Sequence, residues 1–286
     1  MNGEGAHALA AIARLEAGGA RHRVVHEGRT VCWRVFGHGR PLVLVHGGHG
    51  NWMHWIRNIA ALAERHAVCV PDLPGFGDSD DVDADPHAPA RLQRLVEATI
   101  GSLDTLLGRR AEVDLAGFSF GALVAAHIAV QRPVRRLALL GPAGHGTRRR
   151  PREALVDWRL PDPAKRLAAL RHNLMAHMLH DPACADALAM AVHEAACART
   201  RFRSKALSHA AALQAVLQRF ARPLLFVWGE HDVTGVPEEL APRLAEGHDE
   251  REWCLVPGAG HWVQYERDRD INRLLLRWFG AGSDAS

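Results

Sequence analysis

The sequence predicts an α/β fold in which a mostly parallel central sheet carries helices on both faces. Short, continuous apolar runs such as PLVLVH at residues 41–46 are typical of strands that are buried on both faces. Helix-like segments follow these runs in alternation over much of the chain, which is the order that a parallel sheet requires. The length of 286 residues and the hydrophobic content of 48% allow a large core.

The individual elements follow from local patterns along the chain. The first is an amphipathic helix, because the segment HALAAIARLEA is followed by two glycines that end it. Strands are expected at residues 23–26, 31–36, 41–46, 67–71, 113–116, 135–140, 223–228 and 252–256. Helices are expected at residues 7–17, 51–65, 90–107, 120–131, 237–246 and 268–279.

The alternation of strands and helices breaks between residues 141 and 211. This stretch is rich in Ala, Leu, Arg and His, favours helices and contains no strand pattern. Because an insert of about seventy residues is too long for a simple connection, we expect an inserted helical cap. The predicted division is a core of residues 1–141 and 212–286 with a cap of residues 142–211. The cap is expected over the carboxyl ends of the strands, where such sheets bind ligands.

Charge and cysteine content restrict the function and the compartment. Lysine plus arginine number 35 and aspartate plus glutamate 32, and the difference of +3 does not indicate a nucleic-acid partner. The five cysteines are scattered and form no CxxC pair, which favours a reducing compartment. Without a secretory pattern or an apolar run of bilayer length, we expect a cytoplasmic protein with no membrane partner. The sequence is compatible with both a monomer and a homo-oligomer.

The 19 histidines raise the question of a metal site. His193 and Cys197 stand in a HExxC segment that is similar to the zinc signature HExxH, and helical i, i+4 spacing suits chelation. No third ligand is evident, so we expect no metal and no other cofactor, and a cap-helix surface at these residues. The basic run Arg148–Arg150 with Arg152 is interpreted as a solvated hinge, with steering of anionic substrates as the alternative.

The segment GFSFG at residues 117–121 indicates a nucleophilic serine. It lies directly after a predicted strand and directly before a predicted helix. A sharp strand-to-helix turn exposes the hydroxyl of Ser119, and flanking glycines avoid collisions with the strand and the helix. Ser119 is therefore the predicted nucleophile.

An acid and a histidine should follow such a serine along the chain. Asp232 comes after the strand pattern PLLFVW, and His261 comes after EWCLVPGAG. Both then lie at the carboxyl ends of strands, as Ser119 does. We expect His261 to take the serine proton and Asp232 to orient the imidazole. Glu230 is the alternative acid.

An oxyanion needs two backbone donors near Ser119. The N–H of Phe120, the residue after the nucleophile, is the first candidate. The glycine-rich turn HGGHG at residues 46–50 supplies the second, because glycines let the backbone face a ligand. Within it we favour the N–H of Gly48, with His49 as the alternative.

These motifs together resemble the α/β-hydrolase fold with a helical cap. The segments HGGHG, PDLPGFGDSD, GFSFG, WGEHD and GAGHW match the landmarks of that superfamily in order, from about residue 20 to 280. The resemblance implies a serine hydrolase. A serine at the position where haloalkane dehalogenases and epoxide hydrolases carry aspartate argues against those two branches.

The stretch HWVQYE from His261 to Glu266 is similar to that of the meta-cleavage-product hydrolases, which cleave carbon–carbon bonds. This likeness would place Trp262 beside the base in the pocket. Those enzymes usually carry asparagine where this chain has Phe118 and proline where it has Gly50, and their substrate-binding cap arginine falls near Val192–His193. The candidate substrate contacts are His49, Phe118, Trp262, Met175 and Met178, the two methionines alternatively being core residues.

The predicted function is hydrolysis of a small, fairly apolar acyl substrate, a carboxylic ester or similar compound, through an acyl-enzyme. Cleavage of a carbon–carbon bond in a 2-hydroxy-6-oxo-dienoate is the alternative reaction. An alternative from another class is a binding protein that keeps the fold without turnover.

Overall fold

A computed structural model describes residues 3–82, 85, 88 and 90–281, and its centre is an eight-stranded sheet. The strand order is β1-β2-β4-β3-β5-β6-β7-β8. Strands β1 and β2 join by antiparallel pairing, and all neighbours from β4 to β8 pair in parallel. The strands are β1 Ala20–His26, β2 Arg29–Phe36, β3 Arg40–Val45, β4 His66–Pro71, β5 Val113–Phe118, β6 Val134–Leu140, β7 Leu224–Gly229 and β8 Arg251–Val256. The predicted α/β fold with a mostly parallel sheet is confirmed.

The helices lie between and after these strands. Those outside residues 142–211 are α1 Gly3–Ala17, α2 Ile59–Ala63, α3 Arg91–Leu107, α4 Phe120–Ala129, α8 Leu213–Leu217, α9 Pro237–Ala245, α10 Val263–Glu266 and α11 Asp268–Gly280. Within residues 142–211 are α5 Pro163–His177, α6 Ala187–Ala198 and α7 Lys205–His209. The helices that were predicted with bounds agree with the structure to within a few residues, with one exception. The short helices α8 and α10 were not predicted, and α5, α6 and α7 were predicted only as a helical stretch without individual bounds.

The exception is the single helix predicted for residues 51–65. The structure has a 3-10 helix at Trp52–Trp55 and only a short α2 after it. The side chain of Asn51 accepts a hydrogen bond from the Met53 N–H, and Asp72 accepts one from the Trp52 N–H. The segment is buried on almost every side, so tertiary contacts decide its path where an exposed amphipathic helix would follow its own periodicity.

Apolar side chains form one cluster on each face of the sheet. One cluster joins the strands to α3 and α4 and includes Leu95 and Leu123. The other joins them to α11 and to the inserted helices α5 and α6, through residues such as Leu275, Leu174 and Val192. Each buried leucine contributes about 2 kcal/mol of transfer free energy. The insert therefore shares a core with the sheet.

The stretch from residue 141 to 211 contains a segment without helix or strand, 148–160, followed by the three helices. Within its described residues the β-structure is limited to one bridge between His145 and Ala211. Helix α1 contacts α6, so the N-terminus packs against the insert. The division into a core of 1–141 and 212–286 and a cap of 142–211 stays a prediction, and residues 1–2, 83–84, 86–87, 89 and 282–286 of it lie outside the described part.

Cysteines and membrane spans add two further facts. All five cysteines are free thiols. Over the part of the chain that the structure describes, no helix combines the length and the apolar character that crossing a bilayer demands.

Candidate active site

The turn between β5 and α4 holds Ser119 in an unusual backbone conformation. Its φ of 55° and ψ of −120° lie in a region that L-residues rarely adopt. Such a conformation costs about 1–3 kcal/mol, and the surroundings impose it. A Cβ atom on Gly117 would lie 2.5 Å from the Gly121 oxygen, and one on Gly121 would lie 2.1 Å from the His46 oxygen. The turn can therefore form only with glycine at both positions.

The structure brings Ser119, His261 and Asp232 into one hydrogen-bonded line. The Oγ of Ser119 is 2.9 Å from Nε2 of His261, and Nδ1 of His261 is 2.8 Å from Oδ2 of Asp232. The His261 and Asp232 side chains are 1% and 0% exposed. With Nδ1–H donating to the carboxylate, Nε2 carries the lone pair that accepts the serine proton.

The second oxygen of Asp232 is held by Thr234. Both the N–H and the Oγ1 of Thr234 donate to Oδ1 at 2.7 Å. Burial alone would raise the pKa of Asp232, but the facing His261 and these two hydrogen bonds outweigh it and leave the pKa below its usual value. Asp232 is therefore a fixed negative charge beside the imidazole.

The alternative acid, Glu230, points elsewhere. Its carboxylate accepts a hydrogen bond from the Gly258 N–H at 3.0 Å, and its side chain is 53% exposed. Of the two acids considered from the sequence, only Asp232 contacts His261.

The turn after β3 places Gly48 opposite the start of α4. A Cβ atom on Gly48 would lie 3.6 Å from the Cβ of Phe120 and 2.5 Å from Oγ of Ser204. Within the described residues, neither the Gly48 N–H nor the Phe120 N–H donates to a protein acceptor. His49 has a φ of 51°, and its side chain is exposed to the cavity. Two free N–H groups thus lie beside the serine.

A cavity of about 660 Å³ lies between the serine and the insert. Such a volume suits a small-molecule ligand. Its wall includes Gly48, Ser119 and Phe120 on the core side, and it includes two of the predicted substrate contacts, His49 and Met178.

The other three predicted substrate contacts do not lie in the cavity wall. Phe118 is fully buried, with its ring centroid 4.9 Å from that of His261. Trp262 is fully buried as well, stacks on Tyr265 and donates its indole N–H to the His54 carbonyl. Met175 packs into the apolar cluster beside α11. Phe118 and Trp262 pack against histidine side chains and are buried away from the cavity. Their assignment as substrate contacts is therefore wrong. Met175 matches the alternative interpretation, that of a core residue.

Three further histidines lie in the cavity wall, and of these the sequence pointed only to His193, as part of the HExxC segment. His54, His177 and His193 all line it. Burial lowers the pKa of each, to about 4 for His193 and well below the ordinary value for the other two. All three are therefore neutral near pH 7.

The HExxC pair also lies in this wall. The sulfur of Cys197 is 3.8 Å from the nitrogens of His193, and burial raises the pKa of the thiol to about 12. Among the described residues, no group of three His, Cys, Asp or Glu side chains could hold a metal ion. The predicted exposed cap surface at His193 and Cys197 is wrong, because both side chains are buried.

The basic run splits into two sets. Arg148 and Arg150 point outward and pair with Glu239 at 2.9 Å and Glu238 at 2.5 Å. Arg149 and Arg152 line the cavity, together with a further cation, Lys205. None of these three forms an ion pair with a carboxylate in the described part of the chain. The hinge interpretation therefore holds at most for the outward pair.

The sequence profile of the alpha/beta hydrolase family matches residues 42–274. The chain is 32% identical, over 87% of its length, to the dihydrolipoyllysine-residue acetyltransferase component of the acetoin cleaving system of Pseudomonas putida, of which it covers 66%. It is 26% identical, over 94% of its length, to a 2-hydroxy-6-oxononadienedioate/2-hydroxy-6-oxononatrienedioate hydrolase of Paraburkholderia phymatum, of which it covers 98%.

Among solved structures, a meta-cleavage product hydrolase of Pseudomonas fluorescens superposes with a TM-score of 0.72 at 22% identity, over 91% of this chain and 97% of that one. At this identity the likeness concerns the fold, and it extends over nearly the whole of both chains.

Proposed function

Because this chain belongs to the alpha/beta hydrolase family, we propose that it hydrolyses small, fairly apolar carboxylic esters or similar acyl compounds, with Ser119 as nucleophile. The observation that carries the proposal is the line of contacts from Ser119 through His261 to Asp232, at 2.9 and 2.8 Å, on the wall of a cavity. A serine is a weak nucleophile until a base accepts its proton, and this line supplies that base.

In the first half of the reaction, Oγ of Ser119 attacks the acyl carbon while Nε2 of His261 takes its proton. The negative charge that develops on the acyl oxygen is stabilised by the N–H groups of Gly48 and Phe120. The tetrahedral intermediate collapses to an acyl-enzyme, and His261 returns the proton to the leaving alkoxide. In the second half, His261 deprotonates a water, which releases the acid and restores the serine.

The charges around His261 fit this cycle. The imidazole becomes positive each time it accepts a proton, and the ionised Asp232 stabilises that charge at 2.8 Å. His54 and His177 lie near it, and burial keeps the pKa of both low. As neutral groups they do not repel the imidazolium.

The size and lining of the cavity support a small acyl substrate. Its volume of about 660 Å³ accommodates a small ester. Leu155, Val156, Trp158 and Met178 line one part of it and offer apolar surface to an acyl chain. Leu155 and Val156 are more than two-fifths exposed, so they gain burial when a substrate binds.

A second function, cleavage of a carbon–carbon bond in a 2-hydroxy-6-oxo-dienoate, is favoured by the unpaired cations Arg149, Arg152 and Lys205. Such a substrate carries a carboxylate, and these side chains would attract it. The name of the Paraburkholderia relative supports the same reaction class. Against it stands Phe118, whose apolar, fully buried side chain offers no hydrogen bond before the nucleophile.

Labelling with a fluorophosphonate tests the serine mechanism. The folded protein is expected to be labelled once, at Ser119, and Ser119→Ala is expected to lose both labelling and hydrolysis. Equal labelling of the variant would contradict the proposal, and a folded protein that is neither labelled nor active would be a binding protein.

Parallel rates on p-nitrophenyl esters and on a 2-hydroxy-6-oxo-dienoate separate the two reactions. We expect faster turnover of the ester by wild-type protein and loss of both activities in Ser119→Ala. Fast turnover of the dienoate with negligible esterase activity would overturn the preference for esters.

A further inference from the structure

His177 has a buried ring nitrogen that the reaction described above does not use. It is the last residue of α5, it lines the cavity, and its ring centroid is 5.4 Å from that of His261. The Nδ1 atom of His177 is inaccessible to solvent and has no hydrogen-bond partner. The other ring nitrogen, Nε2, also has no hydrogen-bond partner among the described residues, but it is not closed off in this way, because the side chain is only half-buried.

None of the other residues with a buried, unpartnered polar atom lines the cavity. Within the part of the chain that the structure describes, His177 is thus the only cavity-wall residue with an unpartnered buried polar atom. Its ring lies in the cavity wall and forms no hydrogen bond to the described part of the protein.

Neither ring nitrogen of His177 can find a hydrogen-bond partner in the triad. Both nitrogens of His261 are already engaged, one with Ser119 and one with Asp232. Burial, together with the nearby His261, keeps the pKa of His177 well below its ordinary value. A neutral imidazole presents one N–H donor and one lone-pair acceptor. Because Nδ1 is closed off from the cavity, Nε2 is the nitrogen that remains available to a molecule bound there.

We propose that His177 hydrogen-bonds a second oxygen atom of the substrate, within a few bonds of the scissile carbonyl, and so selects acyl substrates that carry such an oxygen. The proposal rests on the proposed function and specifies its substrate class. The short distance from His177 to the triad limits the oxygen to the neighbourhood of the reacting carbon. It can belong to the acyl group or to the leaving group, as a carbonyl, a hydroxyl or an ether.

Two pairs of esters of equal size test the proposal. The acyl arm compares p-nitrophenyl 4-oxopentanoate with p-nitrophenyl 4-methylpentanoate, and the leaving-group arm compares 2-methoxyethyl acetate with butyl acetate. Wild-type protein is expected to show a higher kcat/KM for the oxygenated member of one pair, and the arm that shows it identifies the side on which the oxygen lies.

The variants are His177→Leu, which keeps the bulk and removes the hydrogen bond, and His177→Gln, which keeps a donor and an acceptor. His177→Leu is expected to reduce the preference for the oxygenated ester by about tenfold, and His177→Gln to retain part of it. The control is His22→Leu, at an exposed position on β1 outside the cavity. It should leave the preference unchanged.

Fluorophosphonate labelling of Ser119 in each variant shows whether the site remains folded. The inference is overturned if wild-type protein prefers neither oxygenated ester, or if the preference persists in a labelled His177→Leu variant. Failure of the proposed function would be distinct, because then Ser119 would not be labelled and neither ester of either pair would be hydrolysed.

Discussion

Asp232 and Glu230 are only two residues apart in the sequence, but their side chains point in opposite directions. The sharp turn after β7 directs Asp232 inward, where Thr234 and His261 contact both of its oxygens. Glu230 points outward to the Gly258 N–H. A buried carboxylate that accepts this many hydrogen bonds is fixed in one orientation, which in turn fixes the tautomer of His261.

Replacement of these two acids tests that distinction. Asp232→Asn is expected to lower kcat by about 10³- to 10⁴-fold, because the amide favours the wrong tautomer of His261 and cannot stabilise the imidazolium. The matched control, Glu230→Gln, should change kcat by less than about twofold, since its side chain is exposed. Steady-state rates on a p-nitrophenyl ester measure both, and the reverse order would assign the acid to Glu230.

The line of Ser119, Asp232 and His261 could be anticipated from the sequence because each residue follows a strand pattern. Parallel strands bring their carboxyl ends to one edge, so the order of elements alone places these residues together. Phe118 and Trp262 were misassigned because adjacency to a reacting residue does not specify on which side of the sheet a side chain lies. In the structure both face the core.

At the level of elements, the irregular segment 148–160 is the part of the insert that no pattern could predict. It has no helix or strand, and it is fastened by side chains of α5. The amide of Asn173 makes two hydrogen bonds of 2.8 Å with the backbone of Val156, and His172 contacts the Ala154 carbonyl at 2.8 Å. Which of its arginines face the cavity depends on these contacts, and a segment without periodicity carries no signal of them.

The arginines of this segment give a prediction with an internal control. Arg152 lines the cavity without an ion pair, whereas Arg148 pairs outward with Glu239. Arg152→Gln is expected to lower kcat/KM about tenfold more for an ester that carries a carboxylate than for a neutral ester, because an attractive charge is lost. Arg148→Gln should leave kcat/KM unchanged for both esters.

Ionic strength provides the accompanying check. The preference of the wild-type protein for the anionic ester should decrease as salt rises from about 10 to 500 mM, because screening weakens the attraction. A preference that is insensitive both to salt and to Arg152→Gln would mean that the cavity cations do not contact the substrate.

For the molecule as a whole, histidines connect the site to stability. His46, His54, His145, His177 and His193 have a pKa lowered chiefly by burial, to about 4 for His145 and His193. His54, His177 and His193 line the cavity, so the neutral environment that spares His261 from repulsion is built from residues that resist protonation. The same arrangement makes the fold sensitive to acid.

The direction of that sensitivity follows from linkage. An unfolded histidine has a pKa of about 6.5, so between about pH 6.5 and pH 4 the unfolded chain binds more protons than the folded one. Stability contributed by His193 is therefore complete above about pH 6.5 and is lost as the pH falls toward 4. The loss amounts to about 2 kcal/mol for this residue by pH 5. Several such residues together could consume much of a typical folding stability of about 5–15 kcal/mol.

Urea denaturation at pH 7.5 and pH 5.0 measures this loss. Wild-type protein is expected to have a markedly lower free energy of unfolding at pH 5.0, and His193→Gln should lose about 2 kcal/mol less between the two pH values, because its amide does not titrate. His22→Gln, at an exposed position on β1, should lose as much as wild type. Equal stabilities of wild-type protein at the two pH values would contradict the assignment, because a neutral buried histidine cannot remain in the fold below the pKa of its unfolded form without that cost.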